Sequence, residues 1–394
     1  MSGLTDDLLR YRAEFPILER TTYMISNSLG AMPRGVYDTL HSYCDDWATR
    51  GVRAWEEKWW MLAREVGDEL GAIMNAPSGS VSVHQNVTIC HAIVASCFDF
   101  SGPRNKVVYS DMNFPSVMYF WEAQRSRGAR VHMVRTDDGV HVPTERILDA
   151  IDEETLLVPI SHVVFRSSYI KDAKAIIEKA HRVGAYVVLD TFQSLGNVPV
   201  DVQQLDPDFT VGGVLKWLCG GPGTAYLYVR PELAKKLQPT LTGWFAHENP
   251  FAFEIGPVKY GEPPYKFMQG TSNIAALYAA QPGLKIIREI GVERIREKSQ
   301  KMTARLIELA DQRGWKVNAP RNPDQRAGTV AIDMPNSKDV CQELLRRDVI
   351  VDWRPKAGVR FSPHFYNTLE EIDRAIAAVD EILSQMPVPA AATR

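Results

Sequence analysis

With 394 residues and a formal net charge of −3, both signs interspersed, the chain has no basic excess that would call for nucleic acid or a membrane surface. Its length predicts one large and one smaller domain. The five cysteines, Cys44, Cys90, Cys97, Cys219 and Cys341, are odd in number and lack metal-ligand spacing, which disfavours a disulfide frame, predicts no metal site and suggests a reducing cytoplasm.

The charged start, Met1 to Phe15, predicts no signal peptide, and no apolar run is long enough to span a bilayer. Residues 1–20 read as a short amphipathic helix leading to Phe15-Pro16. Tyr23 to Gly30 reads as a strand ending in a turn, with Pro33 opening the next helix and Ser26, Asn27 or Ser28 able to cap it. Residues 36–70 read as mostly helical and hold Trp47, Trp55, Trp59 and Trp60, a pattern that suits a core or a dimer interface.

From Val81 the pattern is a strand, a polar turn and a helix starting near Asn86. The backbone N–H groups and Thr88 hydroxyl at that helix start make an anion site, although an ordinary N-cap explains Asn86 or Thr88 equally well. Lys106 to Val117 reads as a strand and turn carrying Phe114-Pro115-Ser116. Strands follow at 130–134 and 156–162, the second closing on Ser161 and His162, with helices at 142–151 and 171–183.

Asp190 ends the apolar run Ala185 to Leu189, which reads as a buried strand. A carboxylate at a strand end is a common place for function in a parallel sheet. Lys216 sits among apolar residues just before Gly220-Gly221-Pro222-Gly223. A lysine there is costly to bury unless it is neutralised, paired or covalently used. Together the two suggest a pyridoxal 5′-phosphate (PLP) site, with Lys216 holding the cofactor as a Schiff base and Asp190 pairing with its pyridinium nitrogen. Taken singly, a snorkelling lysine and a turn aspartate explain each residue.

Residues 225–230 read as a strand, Ile274 to about Ile290 as a long helix, and a further helix runs to Gln312. Short strands and helices beyond suit a small α+β domain. Arg360 has the chemistry to fix a carboxylate plane. The loop between Arg354 and Arg360 is short and lacks a cysteine, which disfavours desulfuration. The Pro/Ala-rich tail from Pro387 reads as frayed.

The Asp190 and Lys216 segment resembles the PLP site of the aminotransferase class V superfamily, and of kynureninase within it. Asn27-Ser28-Leu29-Gly30 with Pro33 resembles the kynureninase N-S-L-G-x-x-P signature, and Gly51-Val52-Arg53-Ala54-Trp55 its G-x-R-x-W stretch. Phe114-Pro115-Ser116 matches the start of F-P-S-D, and Thr242 to Glu248 resembles G-W-x-G-H-E with Ala246 in place of the second glycine. Val351 to Pro363 and Tyr366 to Asp373 resemble the C-terminal signature, so the resemblance spans Asn27 to Asp373.

It implies an α/β fold, the PLP-dependent transferase fold type I. A large domain (21–275) would carry a mostly parallel seven-stranded-type sheet, with a smaller α+β C-terminal domain (276–394) and an N-terminal arm (1–20) packed on it. It implies Lys216 and Asp190 as catalytic residues. Val87, Thr88, Phe114, Ser161 and Gln193 would contact the cofactor, Phe114 by stacking on its ring. Thr271 would reach the phosphate of the neighbouring subunit, which implies a homodimer with shared active sites. Arg360, Trp244, His247, Asn27 and Ser28 would bind a small amino-acid substrate.

The chain departs from kynureninase at Ala48, Val117, Gln193 and Leu215, which stand for histidine, aspartate, histidine and tyrosine. With Gly213 also lacking a hydroxyl, the phosphate grip on that side is thin. Arg166 replaces a small polar or aromatic residue and has the charge to bind phosphate or a substrate acid. The expected activity is therefore a kynureninase-like Cβ–Cγ hydrolase or lyase with an altered substrate. A class V aminotransferase or epimerase is the alternative. A degenerate, non-catalytic member is a third reading, against which intact Asp190, Lys216 and Arg360 argue.

Overall fold

Seven strands make the central sheet: β1 (Val81–His84), β2 (Lys106–Ser110), β3 (Arg130–Val134), β4 (Thr155–Ser161), β5 (Tyr186–Asp190), β6 (Phe209–Gly213) and β7 (Ala225–Val229). Their order is β1-β7-β6-β5-β4-β2-β3, and only β7 runs against the others. The α/β architecture with a mostly parallel sheet is thus the one expected. The computed structural model describes residues 6–386; the first five residues of the expected arm and the tail from Pro387 lie outside the described residues.

The strand sequences explain the layering. Val187, Val188 and Leu189 are fully buried, as is usual when helices cover both faces of a parallel sheet. Helices α1 (Gly35–Arg50) and α2 (Trp60–Ile73) flank a π-helical turn at Trp55–Trp59. The expected helical stretch is interrupted at Gly51, whose φ of 56° departs from the helical region. Helix α3 (Val87–Ser96) starts where expected, with Asn86 accepting from the N–H of Ile89 as its cap.

A second, antiparallel sheet holds β8 (Lys316–Val317), β9 (Val330–Asp333), β10 (Asp352–Arg354) and β11 (Gly358–Phe361) in the order β10-β11-β9-β8. Helices α4 (Val292–Asp311), α5 (Ser337–Arg346) and α6 (Leu369–Gln385) cover it around a core that includes Leu306, Leu344 and Ile376.

Two local expectations are corrected. The arm is not one amphipathic helix but two 3-10 helices, Asp7–Glu14 and Pro16–Glu19. Pro16 forces Phe15 into an extended conformation and splits them. Arg12 ties this arm to the Tyr366 carbonyl and the Glu371 carboxylate, at 2.8 and 2.6 Å. The strand expected over Tyr23 to Gly30 is only Thr22–Tyr23, paired with Val349–Ile350. Beyond it the chain turns back, with Ser28 and Leu29 both donating to the Ile25 carbonyl.

Candidate active site

Strand register assembles the site. Ser161 closes β4, Asp190 closes β5, and the two pair across the sheet. Asp190 also pairs with Val211 of β6, and Lys216 lies in the turn after that strand. The loops leaving these carboxyl ends form a crevice at one sheet edge, where open α/β sheets bind ligands.

Glycine packing fixes the lysine turn. Gly30 donates its N–H to the Leu215 carbonyl at 2.8 Å, and a Cβ on Gly30 would lie 2.1 Å from the Lys216 carbonyl oxygen. Only glycine lets the Asn27–Gly30 turn press this closely. A similar constraint explains Gly213, where a Cβ would lie 2.5 Å from the Phe192 ring. No hydroxyl-bearing side chain fits there.

A cavity of about 280 Å³ opens at this point. It brings together Asn27, Ser28, Val87, Phe114, Ser161, Asp190, Gln193, Lys216 and Arg360 from the sequence-predicted set. Val117 and Leu215, two of the departures from kynureninase, line it as well. The Lys216 amine sits 4.4 Å from the ring centroid of Phe192 and 5.5 Å from that of Phe114. Burial pushes this amine down to about 8, against the opposing pull of Asp190. Burial likewise raises the Asp190 carboxyl above its usual range. The Phe192 N–H at 2.9 Å, the Lys216 and Lys171 charges and the Ser161 hydroxyl offset part of that rise.

Two amides face the cavity in different states. Gln193 is committed: its Oε1 accepts from the Trp217 indole at 3.0 Å and its Nε2 donates to the Asn27 carbonyl at 2.9 Å. Asn27 is 1% exposed, yet neither its Nδ2 nor its Oδ1 has a hydrogen-bond partner among the described residues. A buried amide without partners is costly unless a ligand satisfies it. Arg360 is 2% exposed, and its Nε and Nη2 donate to the two carboxylate oxygens of Asp352 at 2.8 and 2.6 Å. Its Nη1 donates to the Phe165 carbonyl at 2.7 Å.

Five residues named from the sequence lie elsewhere. Thr88 is exposed on the first turn of α3, one position round the helix from the inward Val87. Trp244 and Thr271 line a separate cavity of about 780 Å³ with Trp55, Trp60 and Phe251. His247 accepts the Asn249 N–H at 3.0 Å and lines neither cavity. So Trp244 and His247, expected at the substrate, are not brought to Lys216 within one chain. Arg166 lies over the Phe165 ring at 5.5 Å, outside the lining of the Lys216 cavity.

Sequence reasoning missed Phe192, Val163, Phe165, Arg354 and Asp352. The first four line the cavity, and Asp352 holds Arg360 behind it. Asp352 had a legible signal, because it and Arg360 are equidistant from the centre of the β10–β11 hairpin. The apolar loop residues had none.

The model of the family described as aminotransferase class V matches residues 22–375. The chain belongs to this family. The uncharacterized aminotransferase YcbU of Bacillus subtilis (strain 168) is 33% identical over 378 residues, covering 95% of this chain and 97% of that protein. The kynureninase of Pseudomonas fluorescens is 30% identical over 396 residues, covering 96% and 93%. An apo cysteine desulfurase structure from Thermococcus onnurineus NA1 has the same fold, with a TM-score of 0.86 at 23% identity, covering 98% of this chain and all (100%) of that one. The family's enzymes use PLP, and this chain is a PLP-dependent enzyme of the class V superfamily. The cavity fits that cofactor. It offers a buried carboxylate at a strand end, an amine near two aromatic rings, an unpaired amide and a helix start.

Proposed function

We propose that the protein is a kynureninase-like Cβ–Cγ hydrolase or lyase acting on an amino acid other than kynurenine. The observation that carries the catalytic assignment is the meeting of Lys216, Asp190 and Arg360 in one cavity at the sheet edge. Similarity to kynureninases over nearly the whole chain supports the reaction type. Val117 in the cavity wall, where the kynureninase pattern has an aspartate, supports a changed substrate.

Each residue then has a task. Lys216 holds the cofactor, and its amine takes and returns the Cα proton. A lowered ammonium pKa, about 8, suits proton transfer near neutral pH. Asp190 holds the proton on the cofactor's ring nitrogen, and a cation there would relieve the burial cost of the carboxylate. Phe114 would pack on the cofactor's ring, Ser161 and Gln193 would offer it polar contacts, and the helix start at Val87 and Thr88 would favour its phosphate. Arg360 takes the substrate carboxylate, and Asn27 and Ser28 line the same cavity. Bound PLP supplies the electron sink for a carbanion at Cα. In the cleavage, hydroxide from water adds to a γ-carbonyl, the Cβ–Cγ bond breaks with its electron pair on Cβ, and a proton completes alanine beside a carboxylic acid.

Aminotransfer is the second reading, favoured by the relative at 33% identity that bears that name. We further propose a homodimer. Trp244, Phe251, Phe253 and Ile255 are all exposed, an apolar surface that a second copy would cover while bringing Thr271, Trp244 and His247 to the neighbouring site. The five free cysteines support a reducing, cytoplasmic setting.

The test is the visible spectrum of protein loaded with PLP, followed by borohydride reduction and peptide mapping. A band reduced onto Lys216 supports the assignment; a colourless protein sinks it. An amino-acid screen beginning with kynurenine then separates the reactions. Free alanine with an acid marks Cβ–Cγ cleavage, and a keto acid formed in one half-reaction marks aminotransfer.

A further inference from the structure

Asp352 and Arg360 sit opposite each other on the β10–β11 hairpin. A guanidinium has five N–H donors. In Arg360 one on Nε and one on Nη2 go to Asp352, and one on Nη1 goes to Phe165. The two that remain are one on each terminal nitrogen, and both are left to meet a substrate carboxylate. Asp352 therefore leaves the arginine usable and fixes its plane.

The same carboxylate also holds Arg354, at 2.9 Å, and Arg354 lines the cavity beside Arg360. Two guanidinium charges and one carboxylate leave a single positive charge, which one substrate carboxylate neutralises. The nearby wall, Val163 and Phe165, carries no further side-chain charge, and Arg166 stays outside the cavity lining. We propose that Asp352 is a positioning residue that sets both the plane and the net charge of the carboxylate grip, so that the site takes amino acids with one carboxylate and rejects dicarboxylic ones. This rests on the reading of Arg360 given above.

The experiment titrates the PLP-loaded protein with L-alanine and with L-aspartate, following the cofactor's absorbance, in wild type and Asp352→Asn. Wild type is expected to respond to L-alanine at a concentration about tenfold or more below that for L-aspartate, because the second carboxylate meets no free cation. Asp352→Asn frees Arg354 and is expected to narrow or invert that ratio. It also releases the Arg360 plane, so exchange of the L-alanine Cα hydrogen in D₂O is expected to slow by about tenfold. Arg354→Met, which removes the surplus charge without touching the Asp352–Arg360 pair, is expected to weaken the L-alanine response by about tenfold. Equal responses in wild type, or none to either amino acid, overturn the inference while a cofactor band on Lys216 still upholds the preceding reading. An unchanged ratio and exchange rate in Asp352→Asn, or an unchanged L-alanine response in Arg354→Met, also overturns it. Absence of the band removes both.

Discussion

The indole N–H of Trp217 donates to Oε1 of Gln193 across 3.0 Å. An indole only donates, so this bond decides which end of the amide is oxygen. Nε2 must then point to the Asn27 carbonyl, with its second hydrogen free for a ligand. Trp217→Phe leaves that oxygen unpaired and opens space in a packed region. The expected cost is about 2–4 kcal/mol in a urea unfolding series, with weaker PLP binding. An unchanged midpoint would show that the bond does not orient the amide.

Lys216→Met tests the burial of the amine in the protein without cofactor. Burial pushes the folded amine down to about 8 from its ordinary 10.5. The unfolded chain therefore binds more protons between those values, and stability rises with pH through that window. The native lysine is a penalty below about pH 8. Its removal is expected to stabilise the empty protein at pH 7 by about 1–2 kcal/mol, discounted from the full shift because the side chain keeps some solvent contact. The rise between pH 8 and 10.5 should shrink but persist, because buried Lys171 is pushed down to about 8 as well. Thermal melts across that range would refute the account if both variants had one slope.

Asp190→Asn separates stability from cofactor binding. Burial raises the folded carboxyl above its ordinary 3.8, so the folded state binds more protons above that pH and stability falls as pH rises through the folded value. An amide has no such penalty. The variant is expected to melt higher than wild type at neutral pH without cofactor, yet to hold PLP far more weakly in a dialysis assay. Equal PLP retention would remove Asp190 from the ring nitrogen.

Gly30→Ala places a methyl group 2.1 Å from the Lys216 carbonyl oxygen. The Asn27–Gly30 turn must then retreat from the lysine turn. Expected are a loss of about 2–3 kcal/mol in stability and weakened PLP binding together. Stability lost with normal PLP binding would mean that the contact is structural alone.

Phe253→Asp probes the exposed aromatic surface. Phe253 is 72% exposed and has a φ of 49°, a conformation that aspartate tolerates. A charge there is expected to shift the protein from dimer to monomer in analytical ultracentrifugation and to lower PLP affinity in parallel. A wild-type protein that is monomeric at micromolar concentration would end the shared-site proposal.

Short-range patterns carry much of this protein. The apolar run Ala185 to Leu189 identifies β5 and puts Asp190 at its end, because strand burial is written in consecutive side chains. Lys216 stands out because a charged residue interrupts an apolar stretch before a glycine-rich turn. The arm and the Tyr23 to Gly30 segment read less well. Pro16 overrides a helical periodicity in the first, and in the second the chain turns to dock on the lysine loop instead of extending.

Tertiary structure alone decides which polar groups are already spent. The sequence by itself determines that an aspartate, a lysine and an arginine of the right chemistry exist in strand-end and turn settings. It does not reveal that Gln193 is committed to Trp217 and Asn27, that the Asn27 amide is unpaired, or that Arg360 keeps two N–H groups after meeting Asp352 and the Phe165 carbonyl. Nor does it separate Trp244 and Thr271 from the Lys216 cavity. Those facts depend on partners distant in the chain, and a hydrogen bond closes only when both ends are in place within about 3 Å.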